Sequence, residues 1–157
     1  MTVVAQAATR PLWFIDGLAR VSLDGEASDG TVDIVEVEAR AGDMPPLHVH
    51  HEHDETFYVL EGEVSLHLPG RSVTLGPGEA FFAPRGVPHV YRVESTTARW
   101  MAFGTPAGFA DFVREASDEP DGDGLPPLGR EHDPARLGEA AARHGIELLG
   151  PPGTMPR

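Results

Sequence analysis

The sequence predicts an all-β protein, an antiparallel barrel or sandwich followed by one or two helices. Three observations support this fold class. Short runs of β-branched and aromatic residues recur along residues 12–103, Gly- and Pro-rich turns separate them, and no helical pattern intervenes. Consecutive short strands joined by tight turns pair antiparallel, because a parallel pair would need a long crossover connection.

Ten strand candidates follow one another in this region. Residues 1–10 precede them without a clear pattern and are predicted to form a frayed leader. The candidate strands are residues 12–15, 18–23, 31–39, 47–51, 56–60, 64–68, 72–75, 80–83, 87–93 and 98–103. Their short length and regular spacing are typical of barrels and jelly rolls.

Helical periodicity begins only after the strands. Residues 106–116 place Phe109, Phe112 and Val113 on one side, which predicts an amphipathic helix. Residues 117–130 are acidic and rich in Gly and Pro, so they are predicted to form a loop or mobile linker.

A second helix is bracketed by start and stop signals. Asp133 can cap its N-terminus, Pro134 suits the first helical position, and Gly145 suits its end. Residues 146–149 then add a strand or dock apolar side chains. We therefore predict a barrel with its leader over residues 1–105 and a helical extension over 106–157, packed on the barrel in the same domain, that covers a cavity or forms a subunit contact.

Composition narrows the function classes. The chain has 157 residues, enough for one domain with a substantial core, and its net charge is −13 with no lysine. Such a chain lacks the basic surface that binds nucleic acid or anionic membranes. It has no cysteine, which excludes thiolate catalysis and Cys-ligated metals. With no stretch of 18 apolar residues and no signal-like N-terminus, the prediction is a cytoplasmic protein without a membrane partner.

A histidine-rich stretch over residues 42–62 carries the strongest chemical signal. His48 and His50 are two residues apart in extended chain, so both imidazoles fall on one face. A short turn can bring the carboxylate of Glu55 back beside them. Glu52 is two residues beyond His50, so in extended chain it would lie on the same face as the two histidines. It is the alternative carboxylate.

A further histidine, His89, ends a second Gly- and Pro-rich segment at residues 78–89. Three neutral imidazoles and one carboxylate suit Fe, Ni, Mn, Co, Cu or Zn, whereas Ca and Mg prefer oxygen ligands alone. The competing interpretation is a solvated histidine loop without a metal. His51 and His53 are predicted to face solvent or to lie behind the ligands.

These segments resemble the two sequence motifs of the cupin superfamily. In the first motif the family spacing of five, one, four and six intervening residues is reproduced by Gly42, His48, His50, Glu55 and Gly62. In the second, spacings of five, one and two are reproduced by Gly78, Pro84, Gly86 and His89, and Val93 stands where the family often has Asn. The resemblance implies a jelly-roll barrel, and the spacing to Gly62 favours Glu55 over Glu52 as the ligand.

The resemblance also implies a function. The first motif and the C-terminal segment are similar to small bacterial cupins grouped with quercetin 2,3-dioxygenase. This similarity implies one divalent transition metal held by His48, His50, Glu55 and His89, with Glu55 also acting as the catalytic base. The implied reaction is oxidative cleavage of a flavonol-like or other enolisable hydroxy-keto aromatic. A family tendency toward dimers implies a homodimer.

Parity suggests which side chains meet the substrate. If Glu55 and His89 point inward, so do Phe57 and Tyr91, and both are predicted to line an apolar substrate pocket. Ordinary core packing is the alternative for these aromatic residues. Two other functions fit the same motifs: a non-oxidative metal-dependent isomerase or cyclase of secondary metabolism, and a binding protein in which the metal anchors a small molecule.

Overall fold

Within residues 5–157, eleven strands and two helices make up the fold. A computed structural model describes residues 5–157, and residues 1–4 of the predicted leader lie outside the described part. In chain order the elements are β1 (Leu12–Phe14), β2 (Gly17–Leu23), β3 (Asp33–Arg40), β4 (Pro46–His50), β5 (Asp54–Glu61), β6 (Val64–Leu68), β7 (Arg71–Leu75), β8 (Ala80–Ala83), β9 (Val90–Val93), β10 (Thr97–Thr105), α1 (Phe109–Ala116), α2 (Pro134–Arg143) and β11 (Ile146–Pro152).

The strands form three antiparallel sheets. The largest has the order β1-β2-β3-β10-β5-β8, and the others are β7-β6-β9 and β11-β4. A bridge between His48 and His89 links β4 to the segment that enters β9. This non-sequential, wholly antiparallel order is that of a jelly roll, which confirms the predicted fold class.

Period-two alternation explains where the core lies. In β3 and β10 every second residue is buried, so each strand turns one face toward the interior and the other toward solvent. Trp100, an inward residue of β10, is the largest fully buried side chain of the described residues, and its ring centroid lies 4.8 Å from that of Tyr91.

The C-terminal extension is joined to the barrel by a buried carboxylate. Asp33 of β3 is fully buried, and its Oδ1 accepts a hydrogen bond from the Gly104 N–H at 3.1 Å. Its Oδ2 accepts from the N–H groups of Gly108 at 2.7 Å and Ala110 at 2.8 Å. These bonds satisfy donors at the N-terminus of α1, which its own Gly108 cap cannot do. The start of α1 is therefore fixed relative to β3 and β10.

The second helix and the tail follow their predicted signals. The Asp133 side chain accepts from the Ala135 N–H at 2.9 Å and Pro134 opens α2, as the capping pattern predicts. Of the two options for the tail, a strand forms: β11 pairs with β4, placing Ile146 opposite His50 and Leu148 opposite His48.

The prediction of a frayed leader is wrong for its described part. The Gln6 side chain exchanges two hydrogen bonds of 2.8 Å with Asp24, and the Thr9 N–H donates to Val21 O at 3.0 Å. These long-range bonds to β2 and its flank are invisible to local periodicity, which is why the pattern suggested a loose segment.

Candidate metal centre

Four predicted ligands converge at one end of the barrel. His48 and His50 lie on β4, Glu55 is the second residue of β5, and His89 immediately precedes β9. Backbone bonds between His48 and His89, at 2.9 and 3.4 Å, bring the two motif segments together. One ligand atom from each of the four side chains lies within 4.8 Å of all the others.

Glu55 occupies the middle of this cluster. Its Oε2 lies 3.0 Å from His50 Nε2 and 3.0 Å from His89 Nε2. All three residues are at most 4% exposed. The rival carboxylate Glu52 is exposed and lies against Gly145, outside the cluster.

Backbone carbonyls fix the orientation of two imidazoles. The Nδ1–H of His48 donates to Pro46 O at 2.8 Å, and the Nδ1–H of His89 donates to Val87 O at 3.2 Å. A neutral imidazole with its proton on Nδ1 carries a lone pair on Nε2. These two histidines therefore turn Nε2 lone pairs toward the centre of the cluster.

The arrangement fits a bound cation. Nε2 of His50 is buried and makes no hydrogen bond of acceptable geometry despite its closeness to Glu55. Nitrogen lone pairs directed at a buried carboxylate repel it, and a positive ion between them removes that repulsion. A donor set of imidazole nitrogen and carboxylate oxygen suits a divalent transition metal. The residues present could thus hold such an ion.

The surroundings keep these groups in the protonation states that ligation needs. Burial, followed by repulsion from His89 and His50, lowers the pKa of His48 to about 3. Burial raises the pKa of the Glu55 carboxyl, but positive charge and hydrogen bonds from protonated His50 and His89 outweigh it and hold that pKa well below its usual range. A bound cation would supply the positive charge in their place and leave the imidazoles neutral. Neutral imidazole and ionised carboxylate are the forms that bind metals.

An apolar cavity opens from the cluster. Its walls come from the barrel and from all three elements of the extension, and its free space is small, about 50 Å³. The lining residues are Phe14, Ile15, Pro45, Pro46, His48, His50, Glu55, Phe57, Tyr91, Phe109, Phe112, Leu137, Ile146 and Leu148. Phe57 and Tyr91 thus line the cavity, as strand alternation predicts. Their burial also fits the alternative, ordinary core packing.

Tyr91 presents its ring, and not a free hydroxyl, to this cavity. Its O–H donates to Asp43 Oδ2 at 2.9 Å. Burial and the neighbouring Asp43 raise the pKa of Tyr91 well above its usual value, and burial raises the pKa of Asp43 to about 6. Tyr91 is therefore suited to packing against a ligand and not to exchanging a proton with one.

Sequence reasoning found only part of the site. For His53 it left two alternatives open, and the structure agrees with a position behind the ligands: His53 is 2% exposed and lies 2.7 Å from His50 through ring nitrogens. Phe109 and Leu148 line the cavity although they lie 47 and 86 residues beyond Gly62, the end of the first motif. Helical periodicity marked Phe109 as buried, but no local signal shows which surface a helix covers.

Comparison with known proteins shows similarity to cupins and to two dioxygenases. Residues 34–104 match the family model described as Cupin domain. The chain is 32% identical over 107 residues to a quercetin 2,3-dioxygenase of Bacillus subtilis (strain 168), covering 68% of this chain and 32% of that protein. It is 30% identical over 102 residues to an acireductone dioxygenase of Gluconobacter oxydans (strain 621H), covering 52% and 54% of the two chains.

A solved structure shares the fold. The RmlC-like cupin from Shewanella frigidimarina superimposes with a TM-score of 0.52 at 22% identity, over 61% of this chain and 83% of that one. The chain spans between 32% and 54% of the length of the curated relatives it matches. Within residues 5–157, no helix is long and apolar enough to cross a membrane.

Proposed function

The chain belongs to the cupin superfamily, and we propose that it is a metal-dependent oxygenase, specifically a dioxygenase cleaving a flavonol-like or other enolisable hydroxy-keto aromatic. One observation carries the proposal: of the four clustered side chains, His48, His50 and Glu55 line the closed end of an apolar cavity, and His89 completes the cluster beside Glu55. Its similarity to two dioxygenases favours oxygen chemistry over the other reactions of such a centre.

The four clustered side chains would hold one Fe, Ni, Mn, Co, Cu or Zn ion. Such an ion supplies Lewis acidity toward a chelating substrate and, where it is redox-active, a means of activating oxygen. The backbone carbonyls behind His48 and His89 keep their Nε2 atoms directed inward. The protein's own part is thus a rigid, dry donor set.

Glu55 would act as the base. Its low pKa leaves the carboxylate ionised at neutral pH, ready to accept a proton at Oε2. A carboxylate with a low pKa takes a proton only from an acidic donor, and the hydroxyl of a conjugated hydroxy-keto compound is acidic. Because its carboxylate is buried, water competes poorly for that proton.

The walls favour an apolar substrate body. None of the lining residues is Arg, Ser, Thr, Asn or Gln, so a carboxylate or sugar placed against them would lose its hydrogen bonds to water. About 50 Å³ of free space holds only a few water molecules. An aromatic ligand therefore requires outward movement of the wall, where Leu148 is 36% exposed.

Oxygen uptake tests the proposal. The protein is loaded separately with Fe, Ni, Co and Mn, its metal content is measured, and oxygen consumption is followed with a panel of flavonols and smaller hydroxy-keto aromatics. We expect consumption that disappears in Glu55→Gln, whose amide cannot accept the proton but retains a similar shape. Absence of uptake at full occupancy would reject the oxygenase. Anaerobic conversion of a substrate would instead establish an isomerase or cyclase, and ligand binding without turnover a binding protein.

The larger assembly stays a prediction. The extension over residues 106–157 contributes Phe109, Leu137 and Leu148 to the cavity wall, which supports its assignment to the same domain as the barrel. Family membership supports the proposed homodimer. Light scattering of the purified chain would test the dimer, and fractionation of the source cells would test the proposed cytoplasmic location.

A further inference from the structure

One buried histidine has no part in the ligand set. His53 lies in the turn between β4 and β5, is 2% exposed, and places its Nε2 2.7 Å from the Nδ1 of His50, which is equally buried. The Phe109 ring closes over both, with centroid distances of 5.9 Å to His50 and 6.3 Å to His53. The contact is therefore a hydrogen bond shielded from water.

This support differs from that of the other two histidine ligands. His48 and His89 each donate through Nδ1–H to the carbonyl two residues earlier, at Pro46 and Val87. The equivalent carbonyl for His50 belongs to His48, and it already accepts from the His89 N–H at 2.9 Å. His50 consequently takes its partner from a side chain.

An imidazole partner, unlike a carbonyl, does not by itself fix which nitrogen of His50 carries the proton. A carbonyl can only accept, whereas one nitrogen of a neutral imidazole accepts and the other donates. If His50 Nδ1–H donates to His53, the lone pair of His50 Nε2 points toward Glu55. If His53 Nε2–H donates instead, His50 carries its proton on Nε2 and cannot ligate through that atom. The tautomer of His53 therefore decides whether His50 can bind a cation.

The geometry points to His53 as a positioning residue: it accepts a hydrogen bond from His50 Nδ1–H and so holds the tautomer and ring orientation in which His50 Nε2 binds the metal. The inference rests on the proposed metal centre. In that state the remaining proton of His53 sits on Nδ1, on the side of Gly108. Hydrogen-bond partners of ligand histidines typically change metal affinity by about 10- to 100-fold when removed.

Cobalt binding to three variants tests this role without any turnover. His53→Leu removes the acceptor and keeps an apolar side chain, whereas His53→Gln retains an oxygen that can accept from His50. His51→Leu is the matched control, because His51 is an exposed histidine of the same turn and its side chain bonds Glu147 on the surface, at 2.8 Å. Co²⁺ affinity is measured by chelator competition, and the ligand-field absorption bands report the geometry at the ion.

We expect His53→Leu to weaken Co²⁺ binding about 10- to 100-fold and to shift the absorption bands. His53→Gln should recover most of the affinity, and His51→Leu should match the unsubstituted protein. Affinity and spectrum unchanged in His53→Leu would overturn the role of His53 while leaving the metal centre intact. Failure of the unsubstituted protein to bind Co²⁺ would overturn the centre itself.

A measurement on the unsubstituted protein covers the case in which His53→Leu fails to fold. In the Zn²⁺-loaded, ¹⁵N-labelled protein, the proposed bond predicts a slowly exchanging His50 Nδ1–H proton. It also predicts a scalar coupling between His50 Nδ1 and His53 Nε2 across the hydrogen bond. A His50 Nδ1–H that exchanges rapidly with water and shows no coupling would overturn the inference.

Discussion

The closed end of the cavity and its outer wall belong to one pocket but are built by different interactions. At the closed end, three histidines are each oriented by a hydrogen bond through Nδ1, and they surround the carboxylate of Glu55. The wall is formed by apolar side chains from the N-terminal strand, α1, α2 and β11. Hydrogen bonds fix the backbone of α1 and β11, but the apolar side chains themselves are positioned by packing. A metal centre needs fixed directions, whereas a wall against an apolar molecule needs only shape.

This difference implies that the closed end and the outer wall have separate roles. The reaction type would be set by residues of β4, β5 and the segment before β9, while the extension would set which molecule reaches them. β11 is the structural link between the two, because it pairs with the strand that carries His48 and His50 and also contributes Ile146 and Leu148 to the wall. Substitutions at one end should therefore leave the binding properties of the other end unchanged.

The largest effect is expected from removing a proposed metal ligand, which should change metal affinity at the closed end of the cavity. His50→Ala should lower affinity for a divalent transition metal by more than about 100-fold, a greater loss than removal of an outer hydrogen-bond partner causes. His51→Ala, which changes an exposed neighbour, should retain the affinity of the unsubstituted protein. Metal content after dialysis against a chelator measures both. Equal losses in the two variants would show that the ligands are wrongly assigned.

The attachment of the wall is tested at Asp33. Asp33→Asn keeps the shape but offers one acceptor oxygen to three backbone N–H donors, so we expect the free energy of unfolding to fall by about 2 kcal/mol or more. Asp111→Asn on the exposed face of α1 should change it by less than about 0.5 kcal/mol. Urea unfolding measures both. The metal stoichiometry of the folded Asp33→Asn protein should be retained, and its loss would contradict the independence of the two ends.

Acid should affect the closed end through protonation of buried histidines. The pKa of His48 is lowered to about 3 and that of His53 to about 4, both chiefly by burial, against about 6.5 in the unfolded chain. Below about pH 6.5 the unfolded state therefore binds more protons, so stability is present above that pH and is lost as pH falls toward 4. We expect the metal to be released at the pH at which the protein unfolds. Metal content measures the release, and circular dichroism measures the unfolding. Release from a fully folded protein near pH 6 would contradict the burial of these groups.

The smallest expected effect lies in the wall. Leu148→Ser should weaken binding of a flavonol by about fivefold, the equivalent of ~1 kcal/mol of lost apolar contact, while metal affinity stays the same. Leu149→Ser is the matched control, because this adjacent residue is 42% exposed and does not line the cavity. Absorbance titration measures the affinity. Equal effects of the two substitutions would remove Leu148 from the substrate-binding wall.

Much of the candidate site could be predicted because its signals are local. His48 and His50 are two residues apart on a strand, so alternation alone puts them on one face, and the resemblance to the cupin motifs placed Glu55 and His89 beside them. The same alternation placed Phe57 and Tyr91 toward the interior. Strand boundaries were less certain: the strand predicted at 87–93 begins only at Val90, because residues 87–89 complete the turn that positions His89.

The sequence by itself thus determined the antiparallel fold class, which follows from short-range periodicity, and the four clustered side chains, which follow from alternation in one strand together with the resemblance to the cupin motifs. Only the tertiary structure decided that His53 lies against His50, that the hydroxyl of Tyr91 is bound to Asp43, and that the extension lines the cavity. Each of these depends on how a turn, a loop or a helix packs against a distant surface. Periodicity tells which face of an element is buried, but the partner of that face is chosen by the packing of the whole chain.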